Sequence, residues 1–105
     1  MPRAVGQLNN PPVAVADVAT TRINTAVFID ALANDTDKEG DPLSFRNVTI
    51  ADEKQGEVAQ DYMDDKFVIK YTPAPGFTGT AIIHYVVADA RGDTDSSYVT
   101  VTVTP

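Results

Sequence analysis

The chain has 105 residues, a formal charge of −7 and no cysteine. That length suits one domain, and such a charge repels nucleic acid and anionic membrane surfaces. The absence of cysteine excludes a disulfide framework, thiolate metal sites and a Cys nucleophile, and no apolar run approaches the ~18 residues of a membrane span.

Hydrophobic residues make up 43% of the chain, enough for a core, while twelve of the fifteen acidic residues are Asp. Short Asp carboxylates favour turns and bind hard cations from tight loops.

Residues 1–10 read as an inter-domain linker or leader, and residues 11–105 as the folded unit. MPRAVGQLNNPP lacks the apolar stretch of a signal peptide, so the chain is expected to be one piece of a longer protein. Pro11-Pro12 stiffens the entry to a first strand, VAVA (13–16), and TAVFI (25–29) follows. DALAND (30–35) suits a single helical turn. SFRNVTI (44–50) reads as a strand whose apolar phase slips between Phe45 and Val48, which predicts a bulge at Arg46-Asn47.

GEVAQ (56–60) and KFVIKYT (66–72) come next, the second with Phe67, Ile69 and Tyr71 on one face. TAIIHYVVA (80–88) is apolar on both faces, as an interior strand should be. In SYVTVTVT (97–104) Val99, Val101 and Val103 alternate with threonines, so the valines face a core. Asp41-Pro42, Gly56, Asp64-Asp65, Pro73-Ala74-Pro75-Gly76 and Arg91-Gly92 supply turns between these runs. Seven short strands with such punctuation predict an all-β fold, a single antiparallel seven-stranded β-sandwich.

NDTDKEGDPL (34–43) concentrates Asp35, Asp37, Glu39 and Asp41 around Gly40. The first three and Gly40 occupy positions 1, 3, 5 and 6 of the D-x-D-x-[DN]-G calcium loop. The pattern then fails, because position 12 is Arg46 where a bidentate Glu belongs, and Pro42 follows at once. The loop is therefore either a solvated acidic turn or half a cation cage. A cage needs oxygens from elsewhere, and Asp17 and Asp89 stand where neighbouring sandwich loops converge. Carbonyls of Asn34 or Gly40 are further donors, with Glu39 and Asp93 as additional candidates.

PPVAVAD, LANDTDKEGDPLSF, YTPAPGFTGT and YVVADARGDTDSSYVTVTV resemble, in order and spacing, the Ig-like or cadherin-like tandem repeats of large bacterial surface adhesins, including RTX-type extender regions. The resemblance covers residues 11–104 and implies a Greek-key sandwich. Asp35-Thr36-Asp37 stands where cadherins carry D-x-D, Asp89 where they carry an acidic residue, and Asn9-Asn10-Pro11 resembles their linker. The resemblance implies calcium as the bound ion, an extracellular location on the bacterial surface, neighbouring repeats as partners, and a spacer role. As an isolated domain the chain is expected to be monomeric.

The alternative is a carbohydrate-binding or cell-contact module accompanying a secreted polysaccharide-degrading enzyme. Phe28 and Tyr62 read as core or rim packing; on this alternative they would be exposed and stack on sugar rings. Catalysis is not expected: His84 is the single histidine, in mid-strand, and neither G-x-S-x-G nor H-E-x-x-H occurs. Arg91-Gly92-Asp93 spells the integrin-recognition sequence RGD but is read as ordinary turn chemistry, with Gly92 wanted for positive φ. Tyr85, two residues before Val87, resembles the tyrosine corner of Ig sandwiches and is expected to be architectural. Phe77, between Gly76 and Gly79, is expected to plug one end of the core.

Overall fold

The computed structural model describes residues 10–105, so the linker assignment lies outside the described residues apart from Asn10. Its strands are β1 (Asp17–Arg22), β2 (Val27–Ile29), β3 (Ser44–Ile50), β4 (Gly56–Met63), β5 (Lys66–Pro73), β6 (Gly79–Ala88) and β7 (Thr94–Thr104). Two sheets face each other, one ordered β1-β7-β6-β3 and the other β2-β5-β4. The hairpins β4–β5 and β6–β7 stay within a sheet while the other connections cross between sheets. That is the Greek-key sandwich expected from the sequence. One pairing departs from the antiparallel expectation: β1 runs parallel to β7, from Asp17 opposite Val99 to Arg22 opposite Thr104.

The alternation in β7 sets the core. Val99, Val101 and Val103 are at most 2% exposed, and burying each such side chain is worth about 1.5–3 kcal/mol. They pack with Ile83, Tyr85 and Val87 of β6 and with Ile69 and Tyr71 of β5. β6 lies inside its sheet between β7 and β3, with one face in the core and Ile82, His84 and Val86 half-buried on the other. His84 lies half-buried on the outer face, its ring 5.1 Å from that of Tyr98. Phe77 packs partly buried against the core, as expected of a plug. The predicted bulge is present as a register shift in β3 between Phe45 and Asn47.

Asp64 and Asp65 both take positive φ, 54° and 62°, in the two-residue turn between Met63 and Lys66. Positive φ at both positions is what a type I′ hairpin turn requires. Gly56 has φ +147° at the start of β4, where an added Cβ would strike the Thr72 carbonyl and lie 2.9 Å from Tyr71 Cε1. The Tyr71 hydroxyl is anchored beside it, donating to Gln55 O at 2.8 Å.

Two further expectations require correction. VAVA is not a ladder strand: Val13 forms only an isolated bridge with Thr36. The next two N–H groups go to side chains instead, Ala14 N to Asp95 Oδ2 and Val15 N to Asp35 Oδ1, both at 2.8 Å. The regular strand begins at Asp17, so that residue opens β1 where the sequence placed it just after the first strand. Phe67 shares the face of Ile69 and Tyr71 as expected, and it is 41% exposed because it lies at the hairpin end against Tyr62.

Candidate metal centre

Two loops at the same end of the sandwich are built alike. In the 37–41 loop, Asp37 Oδ1 accepts the N–H groups of Glu39 (2.9 Å) and Asp41 (3.2 Å), and Gly40 N donates to Asp37 O at 3.0 Å. Gly40 has φ +74°, the conformation that admits glycine most readily. In the loop after β6, Asp89 Oδ1 accepts from Arg91 N at 2.9 Å and Asp93 N at 3.0 Å. Asp89 N in turn donates to Asp93 O at 3.0 Å. Each aspartate thus uses one oxygen to tie its own loop.

The two loops bring one carboxylate oxygen each from Asp37, Asp41 and Asp89 within 4.8 Å of one another. Asp89 is buried and the other two are half-buried. Asp37 Oδ2 is fully buried yet has no hydrogen-bond partner. A buried acceptor of that kind costs about 1–3 kcal/mol or more when charged. Two like charges about 4 Å apart add roughly 1 kcal/mol of repulsion even at the dielectric of water. An all-oxygen donor set with an orphaned buried oxygen fits a hard divalent cation.

Asp17 and Asp35 stand outside this group and meet each other through Tyr85. The Tyr85 hydroxyl lies 3.0 Å and 3.2 Å from the two oxygens of Asp35, 3.3 Å from Asp17 Oδ2 and 3.1 Å from Val15 O. Asp35 is only 8% exposed. Burial, reinforced by the neighbouring Asp35 carboxylate, raises the pKa of Asp17 above the ordinary range. Asp35 is raised chiefly by burial, with the Asp95 charge adding to it, and Tyr85 is raised by burial and by both carboxylates.

The remaining candidates are placed as follows. Asn34 gives Asp17 a side-chain hydrogen bond. Glu39 accepts from Asn10, through Nδ2 at 2.5 Å and the backbone N at 3.3 Å. Asp93 closes the Asp89 turn through its backbone. Of the sequence-derived set, the structure joins Asp37, Asp41 and Asp89, and it assigns Asp17 and Asp35 to a second cluster. Tyr85, expected to be architectural, is buried with its hydroxyl on Val15 O, and what sequence reasoning missed is that the same hydroxyl joins Asp17 to Asp35. Its one signal was a lone inward tyrosine near the acidic end of an interior strand.

The two-sheet order and hairpin pattern define an Ig-like sandwich. The bacterial Ig domain family matches residues 9–102, and the chain belongs to that family. Comparison with curated proteins gives no match. Among solved structures, the chain is similar to part of a nucleoside hydrolase-related protein from Saccharophagus degradans associated with carbohydrate metabolism. That alignment has a TM-score of 0.63 and 18% identity, over 91% of this chain and 26% of that one. It is also similar to part of a variant endo-fucoidan hydrolase of glycoside hydrolase family 107, with a TM-score of 0.62 and 16% identity, over 96% of this chain and 14% of that one. At such identities the likeness is one of fold.

Proposed function

We propose that this domain is a calcium-stabilised structural spacer of a bacterial surface or secreted protein, holding other domains of its parent chain apart. The observation that carries the reading is the buried, unpartnered Asp37 Oδ2 beside Asp41 and Asp89. Asp37, Asp41 and Asp89 would hold the ion, with carbonyls and water completing the six to eight oxygens calcium takes. Bound there, calcium supplies positive charge that offsets the carboxylate repulsion and ties the 37–41 loop to the β6–β7 turn. Membership of the bacterial Ig domain family supports an extracellular or surface setting. The same reading is non-catalytic: the carboxylates tie loops, and His84 packs on Tyr98.

Extracellular modules bind calcium with Kd of roughly 10⁻⁴–10⁻³ M. At about 10 mM calcium this stabilises by about 1–3 kcal/mol and raises the Tm of a domain this size by roughly 5–15 °C. Thermal melts in excess EDTA and in calcium test it, and superimposable curves would remove the basis for a stabilising site.

A further inference from the structure

The β4–β5 hairpin carries an aromatic pair on the core-facing phase that the core does not cover. Tyr62 and Phe67 are direct cross-strand partners, with ring centroids 5.0 Å apart at 64°. They share the phase of Ile69 and Tyr71, yet Tyr62 is 57% exposed. Both rings line an open cleft of about 590 Å³ together with Leu32, Pro42 and Leu43. This volume falls within the roughly 300–1,000 Å³ of small-ligand sites. The rim is polar: Lys66 Nζ reaches Asp30 Oδ2 at 3.0 Å, and Asp65 stands beside them.

We infer that this cleft is a binding site for a neutral oligosaccharide. A pyranose has an apolar C–H face and a rim of hydroxyls, each both donor and acceptor. Tyr62 and Phe67 match the apolar face. Asp30 and Asp65 accept from hydroxyls, while Lys66 and the Tyr62 hydroxyl donate to them. An apolar protein knob would leave the ion pair on the rim without exchange partners. Anionic saccharides are disfavoured by two carboxylates against one ammonium in the cleft, on a chain of charge −7. The inference is independent of calcium binding, which the melts above read separately.

NMR titration of the ¹⁵N-labelled chain tests it, with cello-, laminari-, xylo- and manno-oligosaccharides each to about 10 mM, enough to read millimolar affinities. Alginate oligomers serve as the anionic comparison. Saturable shifts with a neutral sugar, confined to residues 30–33, 42–43 and 62–67, are expected. Tyr62→Ala should weaken binding roughly tenfold, while Tyr62→Phe, which keeps the ring, should lose much less. The amide spectrum itself reports whether each variant is folded. No shifts with any of the four neutral sugars overturns the inference, as does mapping to another face, tighter binding of alginate, or unchanged affinity in folded Tyr62→Ala.

Discussion

The Tyr85 hydroxyl carries one proton but faces Val15 O, Asp17 and both oxygens of Asp35 within 3.3 Å. Val15 N also donates to Asp35 Oδ1 and Asn34 to Asp17, and a proton shared between the two carboxyls adds to these donors, consistent with the raised pKa of Asp17 and Asp35. The folded state therefore holds more protons than the unfolded chain between the ordinary Asp pKa, about 3.9, and the raised native values. Stability from these groups is fully present below that window and is lost as pH rises through it. Asp17→Asn removes one charge and should flatten this slope. Measured in EDTA, the Tm of the variant relative to the parent should be most favourable at pH 7 and decline toward pH 4. A difference that grows on acidification would contradict the shared-proton account. Gly56 is a second residue whose identity is dictated, since any Cβ there meets the Thr72 carbonyl and the anchored Tyr71 ring. Gly56→Ala should cost about 2–4 kcal/mol from strained φ and overpacking together. Urea unfolding reads this as a lower midpoint at unchanged slope.

At the scale of loops and strands, Asp35 and Asp37 look like one D-x-D unit but belong to different turns. Asp35 N closes the 30–35 turn onto Leu32 O, whereas Asp37 O accepts from Gly40 to open the next. Asp37→Asn should therefore abolish the calcium-dependent rise in Tm, while Asp35→Asn should leave most of it. Calorimetric titration would show the same division, and equal loss in both variants would rejoin the two clusters. This division also marks what the sequence can disclose. Period-two alternation made β7 readable, the phase slip located the β3 bulge, and paired acidic loops pointed to Asp37, Asp41 and Asp89. β1 was hidden because DVATTR is polar, and its strand character comes from pairing with β7, 82 residues on. VAVA carried the stronger local pattern, but distant carboxylates took its N–H groups. The Asp17–Tyr85–Asp35 contact likewise joins three segments through the fold, and no spacing rule encodes it.

For the whole molecule, the parallel pairing of first and last strands decides how the sandwich bears tension. The chain enters β1 at Asp17, opposite Val99, and leaves β7 at Thr104, opposite Arg22. Pulling on the two ends drives these strands past each other along their length. The hydrogen bonds of six register pairs then share the force, where an antiparallel terminal pair would open one bond at a time. The N-terminal entry is gripped as well, through Val13 to Thr36, Ala14 to Asp95 and Val15 to Asp35. The proposed spacer role would call for this resistance, and the absence of cysteine allows the pulling points to be set by introduced thiols. Force spectroscopy of the chain held at its ends should give a rupture force roughly twofold or more above that of a chain held at Asn24→Cys and Pro105→Cys. Those two positions lie at the same end of the β1–β7 pair, so that geometry peels the strands apart bond by bond, each worth only about 1 kcal/mol. Forced unfolding reports the unfolding barrier and not equilibrium stability, so the contrast should persist in EDTA even where calcium raises both forces. Equal rupture forces in the two geometries would mean that the β1–β7 pair is not the element that holds.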